Sequence, residues 1–234
     1  TRNRVLVAAV GHITATELGK LVDLLLQDLP VAADIEMPRY VADALDAGVK
    51  VIDFPTPQST ILFGHAGIPR KDDDFFAAYL LNYILGGSGF ESRLMTEVRE
   101  ERGLTYGIGS FLASRQYGDL LMGQVATANN TVVETIDVVT QEWRKIADQG
   151  VTQAELDAAK KYLTGAYPLR FDGNGPIANI LAGMQFQGLT PDYIQTRNDR
   201  LNAVTMEDIQ SVAQRLFQPE KLRFIVVGQP ESLE

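Results

Sequence analysis

The sequence predicts an α+β fold, and three observations lead to that class. Of its 234 residues, 45% are hydrophobic and 22% are charged, which is ordinary for a globular chain and unlike a disordered one. At roughly 150 residues per domain, this length fits one large domain or one domain plus a fragment. Apolar runs typical of strands come in pairs that could lie antiparallel, while the helical patterns form a separate group. That arrangement favours α+β over repeated βαβ units.

The first 48 residues are predicted to hold a strand, a helix and a linker. Residues 5–10 are a continuous apolar run, as in a strand buried on both faces. Thr14 and Glu17 have the spacing of a capping box, and an apolar stripe follows them at helical spacing. Residues 31–48 contain alanines, a proline and a glycine with little periodicity, so we interpret them as a linker.

Two strands and two helices are predicted next. The strands are expected over residues 49–54 and 60–66. A helix is expected over residues 75–85, because three aspartates precede it and carboxylates favour the positive end of a helix dipole. The small residues Gly86, Gly87, Ser88 and Gly89 then predict a loop, and residues 92–101 predict a short charged helix.

The remaining residues predict a hairpin, five helices and a final strand. The hairpin strands are residues 104–113 and 119–128, joined by a polar turn. Helices are expected over residues 131–148, 152–167, 176–187, 191–202 and 205–217, and the last strand over residues 222–227. This strand and the run at 5–10 are alike. If that echo is real, residues 1–30 end one structural unit and residues 49–234 form the next.

Charge and composition argue against several classes of function. The net charge of −9, without a basic stripe, disfavours nucleic acid as a partner. No apolar run approaches the roughly 18 residues of a membrane-spanning helix. The absence of cysteine excludes disulfides, cysteine–zinc sites and thiol nucleophiles. Because the chain opens with Thr1 and shows no signal peptide, we interpret it as a processed or excised piece.

The sequence contains no motif typical of a metal site or of a catalytic nucleophile. His12 and His65 are far apart, and neither lies in an H-x-x-E-H or H-E-x-x-H motif. The segment from Gly86 to Gly89 is a near match to a nucleophile elbow, but it lacks the full frame and follows a helix. It lacks the lysine of a phosphate loop, and Glu91 would repel an anion. Two interpretations stay open: a flexible connection between helices, or a loop that lines a binding surface.

The most informative stretch runs from residue 92 to residue 110. It predicts a helix with Arg102 in its last turn, Gly103 just beyond it, and then a strand. Arginine suits the negative end of the helix dipole, and glycine suits the left-handed cap. This local explanation needs no function, but it leaves Tyr106 unaccounted for.

The chain also carries the motif Gly-Gly-Ser-Gly-Phe-Glu-Ser-Arg-Leu, followed by Glu-Val-Arg-Glu-Glu-Arg-Gly-Leu-Thr-Tyr-Gly. In this it resembles the C-terminal half of the M16 metallopeptidases, the family of the mitochondrial processing peptidases and pitrilysin-type enzymes. The resemblance covers essentially the whole chain, and Arg-Gly-Leu-x-Tyr is its most specific part. It implies the LuxS/processing-peptidase-like M16 metallohydrolase fold, an antiparallel sheet with helices packed on one face.

The resemblance also implies a site. M16 enzymes are clamshells of two homologous halves, of which the first carries the zinc motif H-x-x-E-H. The second carries an arginine and a tyrosine that contact the substrate backbone and the oxyanion, and these correspond to Arg102 and Tyr106. Gly86, Gly87, Ser88 and Gly89 would form a loop of the substrate chamber, although Phe90 and Glu91 stand where small residues are usual. This chain has no H-x-x-E-H, so it would bind no metal and cleave no peptide alone.

Domain organisation and partners follow from the same resemblance. Residues 1–30 would belong to the preceding homologous half, 31–48 would be the linker, and 49–234 the inactive-type domain. The zinc would lie in a partner half, either ahead of Thr1 or, as we prefer, in a separate subunit of a heterodimer, with a peptide as substrate. In isolation a homodimer is allowed for, and a bacterial periplasm is slightly favoured over the cytoplasm. The alternative is a proteolytically inactive scaffold on the same fold, which would have no reason to keep both Arg102 and Tyr106.

Overall fold

The computed structural model describes residues 1–41 and 45–233, and the order of its elements is close to the predicted one. The helices of the described residues are α1 (Ala15–Leu26), α2 (Phe75–Asn82), α3 (Val132–Gln149), α4 (Gln153–Ala166), α5 (Asn174–Phe186), α6 (Tyr193–Ala203) and α7 (Met206–Leu216). The strands are β1 (Gly48–Asp53), β2 (Gln58–Ala66), β3 (Ile108–Arg115), β4 (Gly118–Ala128) and β5 (Arg223–Gly228). None of the helices in this described part is long and apolar enough to cross a bilayer.

The chain divides into two compact units. The first, called the sheet unit, comprises Tyr40–Lys161 and Arg200–Glu234. The second, called the helical unit, comprises Thr1–Arg39 and Tyr162–Asp199. Each is built on helices whose starts are set by local sequence. In the sheet unit, for example, Thr205 and Asp208 form the reciprocal capping box that opens α7.

All five strands form one sheet in the order β1-β5-β2-β4-β3. The pairs β2–β4, β2–β5 and β3–β4 are antiparallel, and the last of these is the predicted hairpin. The pair β1–β5 is parallel. The α+β class is therefore confirmed, and the sheet is mixed where the sequence predicted an antiparallel one, because the first and last strands run side by side in the same direction.

One face of this sheet is the core of the sheet unit. Ile61 and Phe63 of β2 are buried on it, and Leu62 between them points to the other, partly exposed face. Trp143 of α3 is fully buried and packs edge-on against the Phe63 ring, with 5.7 Å between the ring centroids. Its Nε1–H donates to Nε2 of buried His65 at 2.8 Å, while His65 Nδ1 lies 2.7 Å from the carbonyl oxygen of Ala66. This pairing fits a neutral imidazole with its proton on Nδ1.

The helical unit confirms one prediction for the first 30 residues and corrects another. The capping box between Thr14 and Glu17 is present and opens α1. Residues 5–10, however, form no strand, and Val5, Leu6 and Val7 are exposed. An apolar run becomes a strand only where a second strand satisfies its backbone groups, and none of the described residues pairs with this one. The prediction of a buried strand there is wrong for this chain.

Residues 31–48 are the segment that the sequence predicts to be a linker. Its described residues up to Ala47 lie outside helices and strands, and residues 42–44 fall outside the described part of the chain. Near the middle of this segment, Tyr40 donates a hydrogen bond to Asp119 Oδ2 at 2.7 Å, and the N–H of Val41 donates to the carbonyl of Tyr117 at 2.9 Å. These two bonds attach the segment to the β3–β4 turn.

Candidate functional site

Arg102 lies at the end of a helical turn, as the sequence predicts. The turn Met95–Glu100 has π-helical hydrogen bonding, a form that recurs at functional sites. Gly103 follows with φ of +64°, and its N–H donates to the carbonyl of Arg99 at 3.0 Å. A side chain with a Cβ adopts this left-handed conformation only with strain, which explains the glycine.

The Arg102 side chain turns back onto Glu97. Its Nη1 donates to the backbone oxygen of Glu97 at 2.7 Å and to Oε2 of the same residue at 2.6 Å. This hydrogen bond lowers the pKa of Glu97, with partial burial opposing the shift and the Lys145 charge adding to it. The guanidinium is thus held at the surface by one nitrogen.

Tyr106 stands out from the surface just before β3. It is 90% exposed, and among the described residues its hydroxyl has no hydrogen-bond partner. The sequence placed Tyr106 within the strand, but β3 begins at Ile108. The reason is Thr105, whose hydroxyl donates to the carbonyl of Ala126 at 2.7 Å and accepts from the Gly107 N–H at 3.1 Å. This side-chain turn fixes the backbone on both sides of Tyr106 and delays the strand.

The predicted glycine loop is partly helical. Gly86 and Gly87 end a π-helical turn, Tyr83–Gly87, that continues α2, and Gly89 has φ of +64°. Gly86 is pressed against β3, since a Cβ there would lie 2.4 Å from Oγ and 2.7 Å from N of Ser110. This close approach is possible because residue 86 has no Cβ. The helical turn thus includes Gly86 and Gly87, which the sequence assigned to a loop. The Phe90 side chain lies outside what the structure describes.

A groove of about 460 Å³ is lined by residues of this turn and of the sheet. Gly86 and Gly87 line one side, and residues 107–111 with residues 124–126 and Thr60 line the other. Its walls are mostly backbone and apolar surface. Neither Arg102 nor Tyr106 is among the described residues that line it, so the structure brings the glycines to the start of β3 without joining them to the pair in one pocket.

Two contacts that sequence reasoning missed, one buried and one partly buried, hold this region in place. Asn82 Nδ2 donates to the carbonyl of Ser110 at 3.2 Å, and the Ser110 hydroxyl donates to Asn82 Oδ1 at 2.9 Å. Arg93 forms a fork on Glu155, with Nε and Nη2 donating at 2.7 and 2.8 Å. Burial alone would raise the pKa of Glu155, but hydrogen bonds from Arg93 and Thr152 outweigh it and lower the pKa to about 2. The partners in each pair are far apart in the sequence, so no local pattern predicts these contacts.

The described residues offer zinc no ligand set. No group of three or more histidine, aspartate or glutamate side chains among them could hold a metal ion. His12 is exposed, and His65 has its ring nitrogens against Trp143 and the carbonyl of Ala66.

A sequence model described as the peptidase M16 inactive domain matches residues 1–163. The chain belongs to this family. The resemblance seen in the Arg-Gly-Leu-x-Tyr motif is thereby confirmed, and with it the M16 fold.

Curated relatives of this M16 chain carry different names. The non-peptidase homolog YmxG of Helicobacter pylori is 26% identical over 228 residues, which are 97% of this chain and 52% of that protein. The β subunit of the mitochondrial-processing peptidase of Blastocladiella emersonii is 25% identical over 244 residues, covering 100% and 51%. Among solved structures, a peptidase M16 inactive domain from Pseudomonas fluorescens superposes with a TM-score of 0.82 at 28% identity, covering 96% and 53%. The chain thus spans about half the length of these relatives.

Proposed function

We propose that this M16 inactive domain is the substrate-holding half of a zinc-dependent M16-type endopeptidase. It would close the peptide chamber opposite a zinc-bearing half and contact the substrate through Arg102 and Tyr106. The observation that carries the proposal is Tyr106. Its ring is 90% exposed and its hydroxyl is available, so packing does not account for a tyrosine at this position.

The two side chains suit the chemistry of peptide hydrolysis. A guanidinium can donate two parallel hydrogen bonds to a peptide carbonyl, which orients the substrate. A phenolic hydroxyl can donate to the oxyanion that develops as water attacks the carbonyl, where a well-placed donor is worth most. Both are four residues apart on one short connection whose backbone is fixed by Gly103 and Thr105.

The glycine segment would serve the chamber wall. A peptide backbone can approach Gly86 and Gly87 closely because no side chain projects from them into the groove. The partly exposed sheet face beside it, with Leu62 and Phe111, offers apolar surface to substrate side chains. We assign Gly86 and Gly87 to substrate contact on this basis, and Ser88 and Gly89 because they continue the same motif segment.

The zinc-bearing half would come from a separate subunit or from an earlier part of the same polypeptide. The relatives are about twice as long as this chain, and one of them is named as a subunit. We assign residues 1–30 to the preceding half, since the exposed side chains of Val5, Leu6 and Val7, and of Leu25 on α1, call for a covering partner. Residues 31–48 would then link the two halves.

A second candidate function is a proteolytically inactive scaffold on the same fold. The name of the H. pylori relative, a non-peptidase homolog, favours it. The hydrogen bond from Arg102 to the Glu97 carbonyl also gives that arginine a purely structural use at the helix end. Tyr106 has no such use.

A peptidase assay on the protein assembled with a zinc-bearing M16 subunit separates the two. We expect R102A and Y106F each to lower kcat about 100-fold, the order of effect for losing one oxyanion donor. R115A and Y162F alter the same residue types at exposed positions elsewhere and are expected to leave kcat unchanged. Full activity of R102A and Y106F would overturn the proposed roles. An assembled but inactive wild-type complex would establish the scaffold.

A further inference from the structure

We propose that Glu97 is a positioning residue for Arg102: it holds the guanidinium by Nη1 and so presents the Nε–Nη2 edge to the peptide. This inference rests on the proposed function. It concerns how the arginine is aimed, and it gives Glu97 a role that the resemblance to the family does not supply.

The hydrogen bonds of Arg102 all use the same nitrogen. Nη1 donates to the Glu97 carbonyl at 2.7 Å and to Glu97 Oε2 at 2.6 Å, and no other described residue bonds to Nε or Nη2. Those two nitrogens lie on one edge of the planar group and point the same way, so they form a fork with two donors. A peptide carbonyl or a carboxylate can accept both.

Arg93 shows the same edge in use within this protein. Its Nε and Nη2 donate in parallel to the two oxygens of Glu155, at 2.7 and 2.8 Å. Arg93 is thus already occupied by a carboxylate of its own chain. Arg102, nine residues further on, keeps the corresponding edge open because Glu97 meets the opposite side of the group.

Glu97 is itself held by charges that lead back to the core. Its Oε1 lies 3.7 Å from Nζ of Lys145 on α3. Lys145 also pairs with Glu142 at 2.5 Å, and Glu142 is 2% exposed. A buried carboxylate strongly favours keeping its cation, so Lys145 is fixed, and its charge then restrains the free oxygen of Glu97. Charges of alternating sign therefore run from α3 to the surface arginine.

The helix end does not require this arrangement. Gly103 and Leu104 already donate to the carbonyls of Arg99 and Val98, which completes the end of the turn. The carboxylate of Glu97 adds nothing to that cap. The role of this carboxylate is its contact with Arg102, which orients the guanidinium.

The test uses the assembled peptidase with E97Q, which removes the charge and keeps the shape. E101Q is the matched control, since Glu101 is exposed on the same helix end, and the side-chain hydrogen bonds and ion pair of Arg102 among the described residues go to Glu97. We expect E97Q to lower kcat/KM about 10-fold or more, because small misplacements of a positioning group have effects of that order. E101Q should leave it unchanged. In the R102A background E97Q should have no further effect.

A second measurement does not depend on activity. In ¹⁵N-labelled protein, the Nε–Hε resonance of Arg102 should shift and broaden in E97Q and stay in place in E101Q. If E97Q lowers Tm by several degrees, E97D replaces it with the same expectations, since it keeps the charge but withdraws the carboxylate by one methylene.

The outcomes of the two proposals are distinct. Full activity of R102A removes the proposed function and leaves the NMR result to decide whether Glu97 aims the arginine. A loss in R102A with none in E97Q overturns the inference, and so does a loss in E97Q that persists undiminished in the R102A background. An unchanged Arg102 resonance in E97Q overturns it as well.

Discussion

Helices α1 and α7 begin with the same kind of cap but differ in the burial of their apolar side chains. Each opens with a threonine whose hydroxyl accepts from the third residue of the helix, and whose N–H is bonded by an acidic side chain in return. Yet Ile209 and Val212 of α7 are fully buried, whereas Leu25 of α1 is 79% exposed. The cap decides where a helix starts, and tertiary partners decide whether its apolar stripe is used.

The largest expected difference between the two helices is the response to truncation of an apolar side chain. I209A should lower the free energy of unfolding by about 2–5 kcal/mol, because it leaves a cavity under α7. L25A should change it by less than about 0.5 kcal/mol, since a side chain this exposed leaves no cavity. Urea unfolding followed by circular dichroism measures both. Equal losses would contradict the difference in burial.

The same pair tests the assignment of residues 1–30. In a protein that includes the preceding half, L25A should lower stability by about 1 kcal/mol or more, because the leucine would then be covered. Comparison of Tm for L25A and its parent, in the short and in the long protein, gives the answer. No change in the long protein would show that α1 stays uncovered.

A third capping box opens α4, where the N–H and hydroxyl of Thr152 donate to Glu155 Oε2 and the Glu155 N–H donates to the Thr152 hydroxyl. Loss of its carboxylate is expected to have an intermediate effect on stability that depends on pH. Glu155 has an ordinary pKa of 4.5 and a pKa of about 2 in the folded protein. Because the folded state holds this carboxylate ionised, its contribution is complete above pH 4.5 and is lost as the pH falls towards 2. E155Q should therefore lower stability by about 1–2 kcal/mol at pH 7 and less at pH 3. Stability measured against pH in E155Q and in the parent checks this, and parallel curves would contradict it.

The smallest effect on stability is expected from removal of the threonine hydroxyls that cap α7 and α1. T205A should lower the free energy of unfolding by about 1 kcal/mol, the usual cost of losing an N-cap hydroxyl. T14A removes the same bond from α1 and should chiefly speed amide hydrogen exchange in residues 15–26. If T14A slows that exchange or leaves it unchanged, the Thr14–Glu17 box does not hold α1.

The sequence is informative wherever a contact is local. Thr14 with Glu17, and Gly103 after Arg102, are partners a few residues apart, so spacing and side-chain chemistry predict them. The hairpin of β3 and β4 belongs to the same class. The parallel pairing of β1 with β5 joins residues 48–53 to residues 223–228, which are far apart in the sequence, and no pattern in either strand specifies its neighbour.

The same limit applies to the candidate site. The motif predicts Arg102 and Tyr106 as site residues. It does not predict the contacts of Asn82 and Lys145, whose partners lie on other elements. Nor does it predict that the Arg102 side chain turns back onto Glu97. The apolar run at 5–10 illustrates the converse. Its composition is that of a buried strand, and only the absence of a pairing strand among the described residues keeps it from being one.

The single tryptophan of the chain has a practical consequence. Trp143 lies at the centre of the sheet unit, against Phe63 and His65, and the helical unit contains no indole. Its fluorescence should therefore be blue-shifted in the folded protein and move to longer wavelength only when the sheet unit opens. Far-ultraviolet circular dichroism responds to the helices and strands of both units. Comparison of the two unfolding curves, recorded on one sample, therefore shows which unit unfolds first.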